Sequence, residues 1–280
     1  MRNAKLFLLV ILSLPTLVFA DPGTITFKKL GKVVKTVTVE SLKKEYPSEL
    51  ITVYEGHEES EASYRGVKFN TLLEKVYGGT WDGKSQNQGV DEALFSCIDG
   101  YQPSVPLNKA LTHQAYLVYE RANGKPFEFV DKTTGKVISY GPLYLVWENI
   151  KDNQIKMEGL NFWPYQVATV DLITFAEQFK KLIPAQKLSK IQTRGFIAYR
   201  IHCMQCHRIN GSGGDKGIEL NYPASVTEYF KPQWLKKFIT NPQSVRKDSP
   251  MPPFNTDYPH YQRTVREIIE YLKAISKSKQ

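Results

Sequence analysis

The pentapeptide Cys203-Met204-Gln205-Cys206-His207 constrains this chain more than any other feature in it. Two thiols three positions apart on one helical turn can reach the two vinyl groups of a single porphyrin. The imidazole that follows then points at the iron from the same side, and this spacing is the attachment signature of a c-type haem. A thioredoxin-like redox pair needs a βαβ pattern around its Cys-x-x-Cys, and a zinc site needs a second ligand pair. The sequence offers neither. Cys203 and Cys206 are therefore expected to hold one covalent haem c, with His207 as an axial ligand of its iron. The third cysteine, Cys97, reads as a buried apolar side chain.

The opposite axial position calls for a thioether or a second imidazole. Met1 falls in the leader, Met157 lies in the other half of the chain and Met204 sits inside the motif. That leaves Met251, in Ser249-Pro250-Met251-Pro252-Pro253-Phe254, where flanking prolines stiffen the loop. The spacing of 44 from His207 to Met251 allows a loop and a helix to wrap the porphyrin. His260 and His202 are the competing ligands, and His202 is disfavoured because it adjoins Cys203. A His/Met pair favours the reduced iron and raises its potential.

Residues 1–20 carry a cationic head (Arg2, Lys5), an apolar run from Leu6 to Leu12 and small residues near Ala20. This is the pattern of a Sec-type secretory leader, cleaved before Asp21. Arg-Arg is absent from it, which disfavours the twin-arginine route. A periplasmic location is expected, where covalent haem attachment takes place. No later apolar run is long enough to cross a bilayer. With 41% hydrophobic and 23% charged residues, the 280-residue chain has the composition of a folded protein with room for about two domains. Charge is divided unevenly. Residues 185–280 hold 16 Lys and Arg against 7 acids, whereas residues 21–184 are slightly acidic. Basic residues such as Lys236, Lys237 and Lys247 could orient an acidic redox partner. Export argues against a nucleic-acid role.

The C-terminal stretch is expected to be helical over Leu188–His202, Pro232–Thr240 and Thr264–Ser276. It resembles class I cytochrome c over about 95 residues. The resemblance rests on Gly195-Phe196 and Tyr199 before the haem motif, Gly211-Ser212-Gly213-Gly214 after it, Trp234-Leu235 with Asn241-Pro242, and Glu270-Tyr271-Leu272 in the last helix. It implies an all-α domain over residues 185–280, in which Tyr271 crosses Gly195. One departure stands out. Where the family has a proline carbonyl that accepts the histidine N–H, this chain has Ile218.

Residues 21–184 show short strand runs: a hairpin around Gly31, then Glu49–Tyr54, Ala93–Ile98, Ala115–Glu120 and Leu143–Trp147. A helix is expected with Asn70 as its N-cap. Several ordered pieces resemble the molybdopterin-binding domain of sulfite oxidase-like enzymes: Tyr64-Arg65-Gly66-Val67, Asp99-Gly100-Tyr101, Ala115 to Glu120, Gly141-Pro142-Leu143-Tyr144 and Trp163-Pro164. The resemblance implies an α+β, mainly β, domain. Two departures argue against the cofactor itself. The place of the metal-binding cysteine is taken by Tyr54-Glu55-Gly56, and the arginine of the Gly-Pro-Leu-Arg segment is Tyr144. His57, Glu58, Glu59 and Glu61 read as a solvated acidic loop, His113 as a locally satisfied histidine, and Phe162, Trp163 and Tyr165 as core.

Three functional classes follow: an exported electron-transfer protein with the N-terminal half as a docking or ligand-binding module, a molybdenum-dependent sulfite-dehydrogenase-like oxidoreductase that uses haem as internal acceptor, and a haem-based ligand sensor. The first fits the two departures best, so the chain is expected to move electrons rather than convert a substrate.

Overall fold

The structure, a computed structural model, describes residues 23–81, 89–132 and 134–279, so the expected leader lies outside the described residues. Strands Thr24–Lys29 (β1) and Lys32–Thr38 (β2) form the expected hairpin, turning where Leu30 and Gly31 both take positive φ. The short helix Val39–Glu45 (α1) is capped by Thr38, whose hydroxyl accepts the Ser41 N–H at 3.0 Å. Strands Glu49–Glu55 (β3) and Ser60–Lys68 (β4) follow, then helix Phe69–Tyr77 (α2). The N-cap of α2 is Lys68 rather than Asn70, whose side chain accepts the Thr71 N–H from inside the first turn. Burial of Phe69, Leu72 and Leu73 fixes this helix, and the cap contributes no side-chain bond.

The chain continues through Glu92–Cys97 (β5), Ser104–Pro106 (β6), Leu107–Thr112 (α3), Ala115–Arg121 (β7), Glu128–Val130 (β8), Val137–Ser139 (β9), Tyr144–Trp147 (β10), Asn153–Glu158 (α4) and Val167–Ile173 (β11). A five-stranded mixed sheet has the order β2-β1-β11-β5-β6, with β1 and β11 parallel. A four-stranded antiparallel sheet has the order β10-β7-β4-β3. One apolar cluster spans both, from Ile25 and Phe27 to Leu117, Val118 and Trp147. Leu117, Val118, Leu145 and Val146 are buried in unbroken runs, as strands covered on both faces require.

From Phe175 onward come Phe175–Gln178 (α5), Lys190–His202 (α6), Arg208–Ile209 (β12), Ser212–Gly213 (β13), Val226–Tyr229 (α7), Pro232–Thr240 (α8) and Tyr261–Ile275 (α9). The expectation of an all-α C-terminal domain is corrected here. β12 and β13 pair as an antiparallel hairpin, so the described chain is mixed α/β through to its C-terminal part. The hairpin has a local cause. Asn210 and Gly211 both adopt positive φ, as a tight two-residue turn requires. The Glu219 carboxylate then accepts the backbone N–H groups of Asn210, Gly211, Asn221 and Tyr222 at 2.9–3.2 Å.

Helices α6 and α9 cross at Gly195. A Cβ there would lie 1.9 Å from the Glu267 carbonyl oxygen and 2.9 Å from the Tyr271 Cβ, so only glycine permits this approach. Tyr271 meets Gly195 as expected, and its hydroxyl donates to the Leu182 carbonyl at 2.6 Å. The second apolar cluster combines these helices with Leu94, Ile173, Phe175, Phe179 and Leu182. Residues on both sides of position 184 therefore share one core. Among the described residues, no helix is long and apolar enough to cross a membrane.

Candidate functional site

The motif residues leave helix α6 as a tight turn. Cys206 N–H and His207 N–H both donate to the Cys203 carbonyl, at 3.1 and 2.9 Å, which brings both thiols and the imidazole onto one turn. Tyr199, fully buried one turn earlier, anchors it by donating its hydroxyl to the His207 carbonyl at 2.8 Å. Cys203 and Cys206 are free thiols, not a disulfide. Burial pushes their thiols up to about 12 and about 11.

His207 packs on Gly217, where a Cβ would fall 2.5 Å from the ring. Its Nδ1 lies 2.8 Å from the Ile218 carbonyl. The absence of proline at 218 is thus immaterial, because a backbone carbonyl is there to accept the N–H. Burial lowers the imidazole below its ordinary value while the Ile218 carbonyl opposes that shift. With Nδ1 donating, Nε2 carries the lone pair and can ligate a metal.

Met251 occupies a separate loop, half-buried, after α8. Gln243 Nε2 holds this loop by donating to the carbonyls of Ser249 and Met251, at 2.9 and 2.8 Å. The loop meets the motif side chain to side chain: the Phe254 ring lies 4.8 Å from that of His202, the residue before Cys203. His202 Nε2 is sealed from solvent without a partner, and burial drives this histidine down to about 4. His260 is exposed at the start of α9, in the left-handed conformation.

Residues from the N-terminal half close one side of the motif. Gln102 N–H donates to the Gln205 carbonyl at 2.7 Å, and Asp215 N–H to the Gly100 carbonyl at 2.9 Å. Lys216 pairs with Asp99 at 2.5 Å and touches the Tyr165 hydroxyl at 3.3 Å. Burial pulls Lys216 down, but the Asp99 carboxylate outweighs it and holds the ammonium above its usual range. This lysine is committed to the chain itself rather than to a partner. Lys236, Lys237 and Lys247 are exposed, and Lys237 lies over the exposed Trp234 ring.

A second cluster was not legible as a site in the sequence. Glu55, at the end of β3, is fully buried. Its carboxylate accepts from His57 Nδ1 at 2.7 Å, His57 N–H at 3.1 Å, Tyr64 OH at 3.0 Å and Tyr144 OH at 3.1 Å. Burial raises Glu55, but the bonds from His57 and Tyr64 prevail and hold it below the ordinary glutamate value. The Tyr140 and Tyr144 rings stack at 4.5 Å, and Phe129 stacks on Tyr140 at 4.9 Å. The expected solvated loop is corrected for two of its residues: His57 is drawn inward by Glu55, and Glu58 pairs with Arg121, whereas Glu59, paired with Lys132, and Glu61 are exposed as expected. A hint lay in the two departures. Glu55 and Tyr144, one in each departing segment, are hydrogen-bonded to each other.

That cluster does not suit a molybdopterin metal. No thiol stands at Glu55, and Tyr144 is locked onto the carboxylate. Cys97 is buried on β5, where burial raises its thiol well above the ordinary value. His113 bonds Asp152 at 2.5 Å, and Phe162 and Trp163 are buried, as expected, whereas Tyr165 is half-buried. Compared with known proteins, the chain matches no family model and no curated protein.

Proposed function

We propose that this chain is an exported, single-haem c-type electron-transfer protein. Cys203 and Cys206 hold the haem covalently, and His207 and Met251 take the two axial positions. The observation that carries this is the His207 arrangement: two free thiols on the same turn, and an imidazole whose Nδ1 faces the Ile218 carbonyl, so that Nε2 is left to ligate. Gly217 supports it, since a side chain there would displace the ring. Orphaned buried polar atoms on either side of the first cysteine, His202 Nε2 and Gln205 Oε1, are a further sign that another group belongs there.

When bound, the haem supplies one reversible electron. The protein fixes the turn through Tyr199, aims the imidazole through Ile218 and holds the methionine loop through Gln243. Fixed ligands keep reorganisation small, and a thioether favours the reduced iron. Exposed Lys236, Lys237 and Lys247 suit an acidic partner that delivers or takes the electron. A loaded molybdenum enzyme is not supported, because Glu55 stands where the resemblance puts the metal-binding cysteine, and Tyr144, where it puts an arginine, is bonded to that carboxylate.

The test is a spectroelectrochemical titration of protein matured in a haem-attaching periplasm. A reversible one-electron couple with a low-spin, six-coordinate spectrum in both states supports the proposal. A spectrum that gains avid carbon monoxide binding on reduction would favour a sensor and contradict it.

A further inference from the structure

Beyond the haem motif, the structure spends a buried charge on a single imidazole. Taking a carboxylate fully out of water costs several kcal/mol unless its oxygens are satisfied. Four donors satisfy Glu55, and among their side chains only His57 lines a cleft. Nδ1–H of His57 therefore points at Glu55. Nε2, with its lone pair, has no hydrogen-bond partner among the described residues. The imidazole is braced by Phe129 at 4.4 Å and by Tyr165 and Tyr140 edge-on at 5.8 and 6.0 Å, so it cannot swing away.

The cleft above it measures about 890 Å³. Its charged lining balances: Glu58, Glu61 and Glu128 against Arg121, Lys125 and Lys132. The uncharged lining is mixed, polar at Ser60, Ser63 and Asn123 and apolar at Leu50, Phe129 and Val130. A balanced rim gives no preference for an anion or a cation. An oriented acceptor in the lining asks for a hydroxyl, and the apolar part of the mixed lining accommodates the ring that carries it. A metal is disfavoured, since no group of three or more ligating side chains occurs among the described residues.

We propose that this cleft binds a neutral, hydroxylated ring compound of the phenol class, whose O–H donates to His57 Nε2. Glu55 is the positioning residue that fixes the tautomer.

The experiment uses the full haem-bearing chain and phenol itself, with benzoate and cyclohexane as probes of charge and of the hydroxyl. Calorimetric titration is expected to show saturable phenol binding, at least tenfold tighter than benzoate or cyclohexane. His57→Phe and Glu55→Gln each weaken it about tenfold, the scale of one lost hydrogen bond to an oriented acceptor. Should either variant fail to fold, imidazole nitrogen resonances of the unmutated protein decide. Nδ1 must carry the proton, and the Nε2 signal must move on phenol addition. No binding up to about 10 mM, equal affinity for benzoate, unchanged affinity in His57→Phe, or an Nε2-protonated tautomer would each overturn the proposal.

Discussion

At the scale of single residues, the proposed iron site depends on how few contacts hold each proposed ligand. Met251 is fixed by its prolines and by one glutamine, Gln243, that reaches two carbonyls. Met251→Ala is expected to lower the midpoint potential by on the order of 100 mV and to open the sixth position to carbon monoxide. A redox titration with a carbon monoxide difference spectrum checks both. Glu55 carries a pH signature of its own. Its folded-state value lies below the ordinary 4.5, so the stabilisation from ionised Glu55 is fully present above pH 4.5. It is lost as pH falls through the lowered value. Urea unfolding from pH 7 to pH 3 should show a stability loss below 4.5 that Glu55→Gln lacks, the variant starting about 1–3 kcal/mol lower at neutral pH.

How much was legible beforehand also divides by residue. Cys203, Cys206 and His207 were singled out by their spacing, and the structure places them on one turn. Met251 was chosen by elimination, and its loop is held by Gln243. Glu55 was noticed only as a missing thiol. Its role comes from Tyr64, Tyr144 and His57 converging across the sheet from 9, 89 and 2 residues away, and no local period encodes such a meeting. Glu58 looked solvated for the same reason, since Arg121 lies 63 residues away, whereas Glu59 and Glu61 are exposed as read.

At the scale of elements, the longer strands and the C-terminal helices were readable from alternation and from 3.6-residue periodicity. The β12–β13 hairpin was not, because two-residue strands have no period. A turn at Asn210-Gly211 and the reach of Glu219 create it. The α6–α9 crossing is the most exposed point of this architecture to mutation. Gly195→Ala puts a methyl group onto the Glu267 backbone, and the helices must separate. It should cost about 1–3 kcal/mol or more by thermal or urea unfolding, while Gly211→Ala, whose Cβ meets open space but whose φ is +76°, should cost less.

At the scale of the whole molecule, the two halves share packing and charge. Arg200 on α6 reaches Glu92 on β5, whose side chain is 6% exposed, and its guanidinium lies 3.6 Å from the Phe175 ring centre. Burial raises Glu92 even with Arg200 beside it. Arg200→Ala strands that carboxylate, and a loss of about 3–5 kcal/mol is expected. Differential scanning calorimetry would show it, and Arg200→Ala with Glu92→Gln should recover part of the loss. Gln102, Gly100 and Asp99 bind the segment from Gln205 to Lys216, so the loop that presents the motif is shaped partly by the mixed sheet's side of the molecule. Charge is likewise not free to steer a partner wherever a lysine occurs: Lys216 is spent internally, and Lys236, Lys237 and Lys247 are not.

The central claim is that one porphyrin is bonded to Cys203 and Cys206. Intact-mass measurement of the mature chain after acidified-solvent extraction tests it most directly. The account predicts that one haem's mass stays with the polypeptide and is confined to a peptide containing residues 203–207, and that Cys203→Ala with Cys206→Ala abolishes it. A chain that gives up its pigment to the solvent, or never carries any, contradicts the account.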